Sequence, residues 1–545
     1  MRRTLEKVKI NKIIKTEYLE NENALEINSR QNVHPFMRSM CVLHCGGYII
    51  VDFGVELCGR VHIVFGGCEG GTFRLRLGES VAETCAEPGE KNAGNYHSLR
   101  DCRYPVVGWS DFSSSETGFR FARIDIIEGE NIAVSEIYAE AASNGLEEKG
   151  TFACSDKKLT DIYRIAKRTL SLCVRENAIW DGIKRDRVVW IGDFYPELIG
   201  SFAIYGNIFQ FKTVLDTVKD YNGGWVNYIP SYSAWWIICL EKYYELTADI
   251  GYVNEMLPYV DKIIGDFSAI VRNNGDISYE GNCLTMFESN EFFFDWPTNF
   301  TQDSETGWRY LLIYAMQRAI NLYALCDKKS AAAEEIIVKL NKYEYKPSKF
   351  KQVTALGVLA NKIEKRQAKE LLEQGGTKGM TSFMSFAIIE ALHKIGEDEY
   401  ALRLIKDYYG AMIDMGATTF WEDFDTEWLK DNPLPLDSLP DDKRKNIHAD
   451  YGKFCYTGLR HSLCHGWSSG FIDFFYRHVL GIVPIKAGYK QIMVQPNLCG
   501  LDFVEGELPT IYGDIKVKHS VINGKVKTEI SVPAGVEIIN RQDFD

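Results

Sequence analysis

Apolar and polar residues alternate with a period of two through YIIVDFGVEL, GRVHIVFGG, GTFRLRLGES, GFRFARIDII and IAVSEIYAEAA, with Gly-containing turns between them. Alternation aims one face of each strand at a core, and a series of short strands at this spacing predicts an N-terminal β-sandwich. The period changes near Gly150. Ser155 stands where it can cap a helix through DKKLTDIYRIAKRTLSLCV, in which Leu159, Ile162, Ile165, Leu170 and Cys173 approximate one helical face.

Roughly twelve helical segments follow, up to about residue 480. Among them are SAWWIICLEKYYELTAD, VNEMLPYVDKIIGDFSAIV, GWRYLLIYAMQRAINLYALC, TSFMSFAIIEALHKIG and EYALRLIKDYYGAMIDMG. Each has a wide apolar face, as helices packed on two sides do. No repeat signature is visible, so a closed (α/α)6 barrel is favoured over an open helical array. After Gly481 the period of two returns in YKQIMVQPNLCG, GELPTIYGDIKVKHS and KVKTEISVPAG. The expected architecture is multidomain and mainly α: an N-terminal β-sandwich over 1–148, an (α/α)6-barrel catalytic domain over 149–480 and a small C-terminal β-sandwich over 481–545. The stretch from Asp423 to Tyr456 carries three of the 15 prolines and reads as a long polar loop, of the kind that forms site walls or lids.

A chain of 545 residues can bury several cores without disulfide or metal staples. Its net charge of -13 and pI near 5.4 oppose a nucleic-acid partner, which needs a basic face. The opening MRRTLEKVKINKIIKTEYLE has no apolar core of secretory length, and no run of the chain is apolar enough to span a membrane. Fourteen Cys are scattered without CxxC or Cys/His ligand spacing, so free thiols in the cytoplasm are expected, with no metal site. Aromatics at 13%, with 11 Trp, exceed ordinary usage; most fill cores, and some suit a cleft whose flat walls accept sugar C–H surfaces.

Four segments could carry chemistry. WDGIKRDRVVWIGDF sets Asp181, Arg185, Asp186, Arg187, Trp190 and Asp193 between two helices. Such mixtures also make capping ion pairs, but apolar runs on both sides argue for burial, where charges are paired or functional. GATTFWEDFD puts Glu422 in a connection just after a helix that Gly416 can end. HSLCHGWSSG holds His465 and Trp467 before the last helix, and EFFFDWPTNF holds Asp295, Trp296 and Pro297 in an extended segment. Glycoside hydrolysis needs one protonated carboxyl and one carboxylate, and Asp186 with Glu422 supplies that pair if the fold joins them. Asp181 and Asp193 would help Asp186 keep its proton, while Arg185 and Arg187 would oppose it.

DGIKRDRVVWIGD, FFFDWP, GATTFWED and SLCHGWSSG, in that order, resemble the α-L-rhamnosidases of glycoside hydrolase family 78, and the resemblance covers essentially the whole chain. It implies an inverting mechanism without a cofactor, with Asp186 as acid and Glu422 as base. By the same likeness Asp181, Arg185 and Asp193 would grip sugar hydroxyls, and Trp190, Trp296 and His465 would contact the ring. Trp236, beside Trp235 in SAWWIICL, resembles a further wall residue. Rhamnose is a 6-deoxy sugar, and burying its methyl group against indole is favourable by about 0.8 kcal/mol. The sequence departs from the family where the acid is usually Glu, which leaves Asp193 or Asp181 as alternative donors. The implied partner is a small carbohydrate or glycoside, with self-association left open. Competing readings are a hydrolase of another α-linked sugar on the same barrel and a carbohydrate-binding relative without activity.

Overall fold

The computed structural model describes residues 4–25, 39–96, 99–219, 224–279, 291–299, 301–452 and 455–539. Its N-terminal strands are β1 (Leu5–Lys9), β2 (Lys12–Glu20), β3 (Cys41–Phe65), β4 (Gly71–Gly78), β5 (Asp101–Val106), β6 (Asp111–Ser113), β7 (Thr117–Glu128) and β8 (Ile132–Ala142). They hydrogen-bond as one sheet in the order β1-β8-β3-β7-β4-β5, with β2 and β6 also on β3. The alternating residues Ile49, Val51 and Phe53 of β3 share a core with Phe73, Phe119, Ile124 and Ile137. YIIVDFGVEL and GRVHIVFGG, expected as two strands, are one. The pairing with β7 slips between Asp52 and Leu57, around Gly54 at φ 87, so the glycine makes a bulge and not a turn. The Gly54 amide donates to Asp52 Oδ1 at 2.7 Å within that bulge.

The helical core contains α1 (Lys157–Cys173), α2 (Ile191–Tyr205), α3 (Gln210–Lys219), α4 (Pro230–Thr247), α5 (Ile250–Ile270), α6 (Gln302–Leu325), α7 (Ala331–Leu340), α8 (Lys351–Leu359), α9 (Lys365–Glu373), α10 (Ser385–Lys394) and α11 (Asp398–Asp414). A last helix, α12 (Ile472–Phe474), continues into a π-helical turn at Phe475–Val479. The even-numbered helices follow one another in space: α2 packs on α4, α4 on α6, α6 on α8 and α8 on α10, while α12 returns to α2. Every residue of α2 is buried, whereas α9 buries only Ala368 and Leu372. Inner helices are therefore apolar nearly all round, and the outer ones keep a polar face for water.

The cap of α1 is Asp156, not Ser155. The Asp156 carboxylate accepts from the amides of Lys158 at 2.9 Å and Leu159 at 3.3 Å. Ser155 Oγ instead accepts from the Asp502 amide at 3.0 Å, which ties the helix entrance to the C-terminal strands.

Those strands form two sheets. β10 (Ile482–Pro484), β11 (Gln491–Val494) and β15 (Glu537–Ile538) make one; β12 (Phe503–Thr510), β13 (Gly513–Ile522) and β14 (Lys525–Ser531) make the other. The second takes its fourth strand, β9 (Thr151–Cys154), from the segment ahead of α1, with Cys154 opposite Val504. The apolar core runs without a break from the helices into Val504, Leu508, Ile515 and Val517.

The N-terminal sheet docks on the segments that bear the candidate residues. Arg120 pairs with Asp52 and donates to Gly416 O at 2.8 Å, the Glu56 amide donates to Thr418 Oγ1 at 2.9 Å, and the Gly118 amide donates to Ile183 O at 3.1 Å. The long loop after Glu422 holds a 3-10 turn at Thr426–Asp431 and is tied to the same domain, Lys12 Nζ reaching Asp437 at 2.9 Å. Every described cysteine is free, and among the described residues no helix is long and apolar enough to cross a membrane.

Candidate active site

Three of the four segments are laced together through their backbones. The Glu422 amide donates to Ser462 O and the His465 amide to Phe420 O, both at 3.0 Å, so the GATTFWE connection runs beside SLCH. On the other side Gly182 bridges His465 antiparallel, and the Gly466 amide donates to Asp181 O at 2.8 Å. Gly466 faces the Glu197 carboxyl so closely that a Cβ there would lie 2.2 Å from its Oε1, so a larger residue would have to displace that side chain. Asp181, Glu422 and His465, far apart in the chain, thus share one short stretch of paired backbone.

Arg185 joins the acids. Its guanidinium donates through Nη1 to Asp186 and through Nη2 to Glu422, and Nε donates to Arg460 O at 2.9 Å. The ring of Tyr456 lies under the same guanidinium, 3.7 Å from its carbon to the ring centroid. Glu422 also accepts from the Ser462 amide at 2.9 Å and from Cys455 Sγ at 3.0 Å. Burial alone would raise the Glu422 carboxyl, but the Arg185 guanidinium holds it well below the usual carboxylate range, so it is ionised.

Its neighbours shift the other way. Burial pushes Asp181 up to about 8, Arg185 only partly opposing, and raises Asp193 well above its ordinary value with help from Asp181 and Glu422. Burial therefore favours the protonated, donating form of Asp181 near neutrality, and the shift of Asp193 has the same sign. Burial lowers His465 to about 3, so the ring is neutral, with Nε2 3.9 Å from both Asp193 and Glu422. Asp295 rises to about 7 by burial; its carboxylate accepts from Trp296 N at 2.9 Å and Thr381 Oγ1 at 3.3 Å.

The backbone at Asp186 and Arg187 is left-handed, φ 55 at each, a conformation L-residues seldom hold. That turn parts the two side chains. Asp186 lies against Arg185 with 25% of its side chain exposed, while Arg187 turns back to Ile183 O and Glu116 O and takes no place beside the carboxyls.

Aromatic rings form a wall from Trp190 through Tyr232 and Phe293 to Trp296, each pair of neighbouring centroids 5.0–6.3 Å apart. Burial raises the Tyr232 hydroxyl well above its ordinary value, and the nearby Asp193 carboxyl adds to the shift, which sets the wall beside the acidic cluster. His465 packs at 4.0 Å on Trp467, whose indole donates to Glu422 O at 3.1 Å. Trp236 does not join this wall. It is fully buried, its indole donating to Leu215 O at 3.1 Å and its ring edge-on to Tyr259, on the outer side of α4. Adjacent helical residues point about 100° apart, so its neighbour Trp235 packs on Tyr195 and Phe386 instead.

Sequence reading missed Lys184, Tyr232, Cys455, Tyr456 and Ser462. Lys184 and Ser462 were inside motifs already singled out, and Cys455 and Tyr456 end the long loop read as a wall; nothing local distinguishes Tyr232.

Residues 481–539 match the family described as bacterial alpha-L-rhamnosidase C-terminal domain. An alpha-L-rhamnosidase of Alteromonas sp. (strain LOR) is 21% identical over 90% of this chain and 55% of its own length. The chain is similar in sequence to α-L-rhamnosidases and in fold to a GH78 rhamnosidase. The solved GH78 family rhamnosidase of Bacillus sp. GL1 superposes with a TM-score of 0.72 at 20% identity, covering 93% of this chain and 53% of that one. The Klebsiella oxytoca rhamnosidase, solved with rhamnose bound, gives 0.67 at 18% identity and covers 88% of this chain and 96% of its own. The fold is thus that of family 78 rhamnosidases, a helical core with β domains at either end. The chain spans about half the length of the curated relatives it matches.

Proposed function

We propose that this protein is an inverting glycoside hydrolase that releases terminal α-L-rhamnose from rhamnosides, with Glu422 as general base and Asp186 as general acid. The observation that carries the reading is the Arg185 guanidinium, which keeps Glu422 ionised and brings Asp186 beside it, so that an acid at Asp186 takes up its proton against that guanidinium. Inversion needs an ionised base that activates water and a separate acid at the leaving oxygen. Glu422 is held ionised with 2% of its side chain exposed, while Asp186, at 25%, is the member of the pair that a departing group reaches. Protonated Asp181 and Asp193 would donate to sugar hydroxyls, and Trp190 and Trp296 would cover the ring and its C6 methyl. Six helical hairpins closing as an (α/α)6 barrel would bring these connections to one mouth, and the succession α2-α4-α6-α8-α10 with α12 back on α2 supports that closure. The names of the relatives support rhamnose as the sugar.

Hydrolysis of p-nitrophenyl α-L-rhamnopyranoside tests this. Turnover is expected in the unaltered protein, with a fall of about 10²–10⁴-fold in Glu422→Gln and in Asp186→Asn. Proton NMR of the first-formed sugar should show the β-anomer. Release only from fucoside, arabinoside or glucuronide substrates, or the α-anomer first, overturns the reading. Asp181 is the second candidate for the acid because burial keeps it protonated near neutrality. An inactive Asp181→Asn beside an active Asp186→Asn would transfer the role.

A further inference from the structure

The base is held in place by groups that do not belong to the helical core. Glu79 follows β4 in the N-terminal sheet, is fully buried, and reaches across to both segments that grip Glu422. Its carboxylate accepts from the Leu463 amide at 2.7 Å and from Ser462 Oγ at 3.3 Å, and it pairs with Lys184 Nζ at 3.2 Å. Ser462 supplies the amide that holds Glu422 Oε2 at 2.9 Å. Lys184 immediately precedes Arg185, the guanidinium on Glu422 Oε1.

We propose that Glu79 is a positioning residue for the reaction, a carboxylate of the N-terminal β domain that sets two of the hydrogen-bond donors of the base Glu422, the Ser462 amide and the Arg185 guanidinium. Its surroundings are built for this. A short helix, Val81–Cys85, is capped by Ser80 and carries Glu83 back to the Glu79 amide at 2.8 Å. Glu83 shares Lys184 at 3.0 Å and pairs with Arg100 at 3.2 Å. Lys184 completes its own shell on Leu459 O at 2.7 Å and His461 O at 2.8 Å, so with Glu79 on the Leu463 amide the segment that carries Ser462 is held on both sides of it. His448 accepts from Ser80 through Nδ1 at 2.8 Å and donates to His461 O through Nε2 at 3.0 Å, burial keeping the ring neutral. Glu79, Glu83 and His448 present ligand atoms within 4.8 Å of one another, as a metal site would. The Lys184 ammonium already lies between the two carboxylates and supplies the positive charge, so the cluster acts as an ion pair network and not as a metal cage.

The inference rests on Glu422 being the base, and the test separates the two. Steady-state kinetics on p-nitrophenyl α-L-rhamnopyranoside are measured across pH for Glu79→Ala, Glu79→Gln and Glu422→Gln, with thermal unfolding of each. Glu79→Ala should lower kcat by about tenfold or more at little change in KM, because a carboxylate displaced by a fraction of an ångström loses its aim on water. The acid limb of kcat should move to higher pH, since Glu422 is ionised by the donors that Glu79 places. Glu79→Gln keeps an acceptor for Leu463 and should recover most, but not all, of the activity. If Glu79→Ala does not fold, a reproducible but smaller fall in kcat with a shift of the acid limb in the same direction in Glu79→Gln sustains the proposal, and an unchanged kcat and profile there overturns it. A folded Glu79→Ala with unaltered kcat and acid limb, whatever its melting temperature, also overturns it. An active Glu422→Gln would instead remove the base assignment itself.

Discussion

Arg185 and Glu422 form an ion pair with 3% and 2% of their side chains exposed. Removing one partner of a buried pair leaves the other charge without compensation, which costs about 3–5 kcal/mol. Arg185→Met should therefore lower stability at neutral pH by that order. The Glu422 carboxyl is depressed in the folded protein, so its contribution is present above the usual carboxylate range and is lost only as pH falls through its lowered value. Without Arg185 the burial of Glu422 is unopposed and its carboxyl rises. Any residual activity should show an acid limb moved up in pH; an acid limb at the original position would contradict the role of Arg185.

Asp181 has the opposite sign. Its carboxyl is raised to about 8, so between the ordinary value of 3.8 and about 8 the folded state binds more protons than the unfolded state. Stability then falls as pH rises through that window. Asp181→Asn keeps the acceptor for the Val188 amide, 3.1 Å away, and cannot ionise. Its melting temperature should decline less between pH 5 and about 8 than that of the unaltered protein. Parallel curves would mean that Asp181 does not carry the buried proton.

Two tryptophans expected on the sugar wall should behave differently. Trp236→Phe removes the donor to Leu215 O and should cost about 1–3 kcal/mol in denaturant unfolding while KM on a rhamnoside stays put. Trp296→Ala should raise KM several-fold with little loss of stability, its ring being only partly buried. A raised KM in Trp236→Phe would return it to the wall.

At the start of α1, Asp156→Ala removes the acceptor for two amides and should destabilise by about 1 kcal/mol. Ser155→Ala touches only the Asp502 amide and should cost less. Chemical denaturation of the two variants side by side decides the order.

Local pattern carried the broad organisation, because burial imposes a period of two on strands and wide apolar faces on helices. Period and glycine position located β4, β7, β8 and, of the C-terminal sheets, β11 to β14, and the order strands, helices, strands follows from them. The same logic misjudged Gly54, since a bulge and a turn both ask for a left-handed glycine and only the partner strand distinguishes them. It left out β1 and β2, whose exposed residues show less contrast between faces.

Residue types by themselves marked Asp181, Arg185, Asp186, Asp193, Glu422 and His465, since so many charges beside apolar runs need partners. What those partners are was decided only by the tertiary structure. The guanidinium shared by Asp186 and Glu422, the outward turn of Trp236 and the reach of Glu79 from another domain depend on distances between segments hundreds of residues apart. So do the proton states: two carboxyls of the same motif, Asp181 and Asp193, rise because they are buried beside acids, while Glu422 falls because it meets Arg185. Sequence determined which groups could do chemistry here, and packing decided their charges and their aim.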